Sequence, residues 1–161
     1  MVLPNEATKT VIEKFSDLRK SRHWEEWYLY IGYDDQENLG CCAIMTTLGR
    51  YVEDILNTSH ITSEKVKELK EIFLLIEFFL NEGDQDVQGA AATCFLENLI
   101  NYTSAGTLAP EKLIPYLVGK KSIEYCKAWD EFTGVKTPGL WGEGEEFDGQ
   151  FKKWIPPVRS G

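Results

Sequence analysis

The stretch Ile61 to Tyr102, ITSEKVKELKEIFLLIEFFLNEGDQDVQGAAATCFLENLINY, constrains the fold more than any other part of the chain. Val66, Leu69, Phe73, Ile76 and Leu80 recur at steps of three and four, which places them on one face of a helix. Val87, Ala91, Cys94, Phe95, Asn98 and Tyr102 line one side of a second helix. Asn81-Glu82-Gly83-Asp84 separates the two. Gly83 suits a left-handed position after the first helix, and Asp84 suits the cap of the next. Gly89-Ala90-Ala91-Ala92 lets a neighbouring backbone come close. The pattern predicts a helical hairpin, a surface more often used to bind proteins than to do chemistry.

The same period runs through most of the chain. A first helix is expected over Glu6–Lys20, with Val11, Phe15 and Leu18 inward. Trp24, Trp27, Tyr28 and Ile31 fit a helical face within Arg22–Tyr33. Leu39, Cys42, Met45, Leu48, Val52 and Ile55 predict a long helix over Gln36–Asn57, with Gly40 and Gly49 as places for a break or a close crossing. Pro110 and Pro115 bound a short helix, Gly119 ends it, and Ser122 is expected to cap a last helix that closes at Gly134. Residues 1–134 therefore read as one all-α domain of antiparallel hairpins, HEAT-like in pattern. Residues 135–161 change character: they hold five of the thirteen glycines and three of the six prolines, and no helical period. They also hold Trp141, Phe147, Phe151 and Trp154, whose exposure to water would be costly. This segment either packs on the helical body, the favoured reading, or forms a binding arm.

Charge narrows the function. The net charge is −9, and residues 34–86 carry twelve acids against four bases. Nucleic-acid binding needs a basic footprint, so this distribution argues against it. A basic protein partner is favoured, because complementary fields speed association. The longest nearly apolar run, Ile72–Leu80, contains Glu77 and is too short to cross a bilayer. The first fifteen residues lack the pattern of a secretory signal, so a cytoplasmic location is expected. Cys41, Cys42, Cys94 and Cys126 form no CxxC pair. All four are expected to be free thiols acting as small hydrophobes.

The chain offers poor material for catalysis. His23 and His60 stand without a serine or cysteine motif, and GxSxG and Walker loops are absent. Asp84-x-Asp86 begins like a calcium loop, but Phe95 stands where the bidentate Glu should be. WGEGEEFDG sets its glycines among acids that repel phosphate. Glu77, inside LLIEFFL, is either a shifted acid or, the favoured reading, a helix-edge residue that reaches solvent. Asn98 needs partners if buried, and could tie down a loop. No catalytic residue, metal or cofactor is expected.

IEFFLNEGDQDVQGAAATCFLENLIN and LIPYLVGKKSIEYCKAWDEFTG resemble small helical bacterial proteins found with polymorphic toxin systems as immunity proteins. The resemblance implies stoichiometric binding of a cognate toxin domain, often a basic nuclease, by an acidic helical face. A helical adaptor for another basic protein is the alternative, and an enzyme with a carboxylate cleft is a third reading. The candidate partner-binding residues are the acids Asp34, Asp35, Glu37, Glu82, Asp84 and Asp86, with Glu143, Glu145 and Glu146. The aromatic residues Trp141, Phe147 and Trp154 compete with them, since interface anchors are often aromatic. A monomer is favoured.

Overall fold

The structure is a computed structural model and describes residues 1–25, 40–149 and 151–154. The described chain is all-helical. Helix α1 (Pro4–Lys14) is followed by a 3₁₀ turn, Ser16–Lys20, and a helical turn at 22–25. Then come α2 (Cys41–Leu56), α3 (Ser63–Glu82), α4 (Gln85–Gly89), a π-helical stretch Ala90–Leu96 and α5 (Glu97–Ser104). Helix α6 (Pro110–Leu113), a 3₁₀ turn Ile114–Tyr116, α7 (Lys120–Thr133) and the four-residue α8 (Phe151–Trp154) complete the order. Among the described residues the only strand-like pairing is an isolated parallel bridge between Val2 and Gly83.

The expected apolar stripes form the core. Val11, Phe15 and Leu18 are buried, although the first helix gives way to the 3₁₀ turn after Lys14. Met45, Leu48 and Val52 of α2 meet Leu69, Ile76 and Leu80 of α3 and Phe95 of the π-helical stretch in one cluster. Helix α2 runs unbroken through Gly49, which lies in ordinary contact range of Phe95, and Gly40 is its N-cap. Thr62 caps α3 and Asp84 caps α4, accepting from Lys65 N–H at 3.2 Å and Val87 N–H at 2.8 Å.

Gly83 departs from expectation. Its backbone is extended (φ −73°, ψ 156°), not left-handed. A side chain there would overlap the Phe79 carbonyl and Val87, so space rather than φ selects glycine. The extended geometry lets Val2 pair with this turn: Val2 N–H donates to Glu82 O at 2.7 Å, and Asp84 N–H donates to Val2 O at 2.8 Å.

The cysteines also differ. Cys42 and Cys94 form a disulfide between α2 and the π-helical stretch, while Cys41 and Cys126 are free and buried. The helical period places Cys42 and Cys94 inward, but Cys42 is exposed and its neighbour Cys41 is buried, and no local pattern shows that the two helices bring the Cys42 and Cys94 sulfurs together. Asn98 makes a local bond, its Nδ2 donating to the Cys94 carbonyl at 2.8 Å.

Glu77 joins α3 to α7. Its carboxylate accepts from Lys121 N–H (2.9 Å), Ser122 N–H (2.9 Å) and Ser122 Oγ (2.7 Å). The N-terminus of α7 is thus capped from another helix, with Gly119 as the N-cap residue, and Ser122 is a donor rather than the cap. A Cβ at Gly119 would overlap the Glu77 carboxylate, so glycine there leaves room for this cap. Glu77 is a cap across the helix junction, not simply a helix-edge residue in solvent. Burial tends to raise its pKa, but the Ser122 and Lys121 donors outweigh burial and hold it below the usual value.

Candidate functional site: an acidic cleft with tryptophan walls

Residues 135–149 fold back along α7, and a buried carboxylate holds them there. Asp130 is 1 % exposed. It accepts from Thr137 N–H (2.6 Å), Thr137 Oγ1 (2.8 Å) and Trp141 Nε1 (2.8 Å). Burial raises its pKa, and these three donors work against that rise. The turn into this strap uses Gly134 in the left-handed conformation (φ 80°), as the sequence suggests. Of the two readings of the C-terminal segment, the described part follows the packed one.

Further contacts shape the strap. Lys127 on α7 pairs with Glu145 at 2.8 Å and lies 5.5 Å from the Trp141 ring centroid. Lys136 lies 5.3 Å from Trp141 and 5.4 Å from Phe147. Phe147 meets Trp141 edge-on, with centroids 5.2 Å apart. Glu131 accepts from the Gly149 and Asp148 backbone N–H groups. At the far end, Trp154 of α8 sits edge-on to Tyr125 at 5.6 Å. The Tyr125 hydroxyl donates to Glu97 at 2.8 Å, and burial raises the pKa of both groups.

A cleft of ≈ 280 Å³ opens between α7 and the strap. Glu124, Lys127, Ala128 and Glu131 form its helical wall, at the spacing of a single helix face. Trp141, Glu145, Glu146 and Asp148 form the strap wall, and Lys153 and Trp154 close one end. Five carboxylates thus meet two lysines between two indole rings. The faces of such rings attract cations, as Lys127 and, outside the cleft, Lys136 illustrate at Trp141.

The structure brings Trp141, Glu145, Glu146 and Trp154 of the sequence candidates into this cleft, with Phe147 packed behind Trp141. Glu143 is exposed on the strap and does not line it. Glu82, Asp84 and Asp86 belong to the α3–α4 turn instead, where Asp84 is engaged as a cap. Asp34, Asp35 and Glu37 lie outside the described residues, as do most of Arg22–Tyr33 and residue 39. The sequence reading missed Glu124, Lys127 and Glu131. Their three-and-four spacing is legible in the sequence, but nothing local shows that the strap lies on that face.

The histidines are tied into the scaffold or exposed. His23 Nε2 lies 2.7 Å from Asp54 Oδ2, and His60 is exposed in the α2–α3 turn. Among the described residues no group of three or more His, Cys, Asp or Glu side chains could hold a metal ion. No helix of the described chain is long and apolar enough to cross a membrane.

A family described as "Domain of unknown function (DUF7674)" matches residues 8–132, most of the chain. The chain belongs to this family. No curated protein and no solved structure matches it. The DUF7674 match takes in the helical wall of the cleft and Asp130, and it ends before the strap.

Proposed function

We propose that this DUF7674 chain is a non-catalytic binding protein that holds a basic partner in the cleft between α7 and the strap. The partner we propose is an antibacterial toxin domain, neutralised stoichiometrically in the cytoplasm by an immunity protein. The cleft carries the reading: five carboxylates against two lysines, walled by Trp141 and Trp154. An arginine or lysine side chain from the partner would stack on an indole face while its charge meets Glu124 or Glu146. The net charge of −9 would speed the encounter. The toxin as partner rests on the sequence resemblance. An adaptor for another basic protein would use the same cleft.

Co-expression with the product of the neighbouring reading frame, followed by a pull-down, identifies the partner. Binding kinetics of Glu124→Lys/Glu146→Lys then test the site. Both residues are exposed at the cleft, so reversal spares the fold. Affinity is expected to fall about tenfold or more at low salt, equal to about 1.4 kcal/mol, and less at high salt. Unchanged association and dissociation rates across a salt series would remove the cleft from the interface. A captured partner without toxic activity would favour the adaptor.

A further inference from the structure

We infer that the Cys42–Cys94 disulfide is a reversible redox tie that opens and closes within the folded protein. Four features carry this. Cys42 is exposed while Cys94 is buried, so an external thiolate can reach the bridge from one side only. Cys42 is the second residue of α2, whose N-cap is Gly40, a residue with no side chain to cap it. The N-terminal end of the helix dipole stabilises a thiolate at that position, which favours the reduced form. Cys94 lies within the π-helical stretch, where the Thr93 hydroxyl, 3.5 Å from its sulfur, donates to the Gly89 carbonyl at 2.7 Å and would turn to a departing thiolate. Finally, α2 is held to the same stretch by Ile44, Met45, Leu48, Ala91 and Phe95, each fully buried, so packing keeps the helices together when the bridge is open.

The exchange balances with a dithiol as reductant. One thiolate of the dithiol attacks Cys42 Sγ, the Cys42–Cys94 bond breaks, and the electron pair leaves on Cys94 Sγ, which takes a proton. The second thiolate of the dithiol attacks its own sulfur in the mixed disulfide and expels Cys42 as a thiolate. The dithiol ends as a cyclic disulfide, oxidised by two electrons, and the protein gains two thiols.

The test treats the full chain with dithiothreitol under native conditions, alkylates at timed intervals and locates the adducts by mass spectrometry. Cys42 should be labelled while the buried Cys41, Cys94 and Cys126 stay protected until the protein is denatured, and the helical circular dichroism persists. The rate should follow dithiol concentration and ignore low urea. Amide exchange in the first turn of α2 should rise about tenfold once the bridge opens. Transfer to oxidised glutathione should restore both the bridge and the protection. Reduction seen only near the unfolding midpoint, or labelling of all four cysteines together, would make the bridge a static staple and overturn the inference. So would unchanged amide exchange on reduction, or a bridge that does not re-form.

Discussion

Glu77 and Asp130 are carboxylates drawn from water for opposite electrostatic outcomes. Glu77 faces the N-terminus of α7, where backbone donors favour its charge. Its depressed pKa means that its contribution is present above the unfolded value near 4.5 and is lost as pH falls through the folded value. Glu77→Gln should cost about 1–2 kcal/mol at pH 7 and flatten the loss of stability on the acid side. Thermal melts between pH 3 and 7 check this. Gly119→Ala should produce a similar loss, because the added methyl group displaces the same carboxylate. Asp130 is more deeply buried, and its value is raised despite three donors. Asp130→Asn turns an NH₂ group toward those donors. It should cost about 1–3 kcal/mol and free the strap. Limited proteolysis should then cut within residues 135–149, whereas an equally resistant variant would show that the aromatic contacts alone hold it.

At the scale of elements, the apolar period predicts helices well and what joins them poorly. Steps of three and four in 61–81 place the buried face of α3 correctly, because burial of that face is what the period records. The close approach at Gly83, the cap supplied by Glu77 across a helix junction and the bridge from Cys42 to Cys94 each depend on partners far away in sequence. Glu77 meets Ser122 across 45 residues, and the two cysteines are 52 apart. No local pattern carries such a pairing. The cleft was half legible for the same reason: the strap residues were visible by composition, and their α7 counterparts only once the strap lay on them. The bridge closes a long loop, and the chain-entropy argument sets its removal at about 4 kcal/mol. Cys42→Ser/Cys94→Ser should therefore lower the melting temperature by roughly 8–16 °C while leaving a helical spectrum. A shift under about 2 °C would mean that the reduced chain loses little by being open.

Seen whole, the molecule combines two parts with different origins of order. The helical body is fixed by a continuous apolar cluster from Ala7 to Cys126, which Leu140 of the strap also joins. The strap is fixed mainly by polar and aromatic contacts to one face of α7. The family match runs from residue 8 to 132, so Asp130 lies inside the shared part and Thr137 and Trp141 lie outside it. The body thus carries the socket, and the segment beyond it carries the plug. A segment seated through two carboxylates, one ion pair and a few rings can be exchanged as a cassette, provided that it brings a hydroxyl and an indole at the right spacing. Grafting a different strap onto this body would then change the lining of the cleft while leaving the helices beneath it as they are.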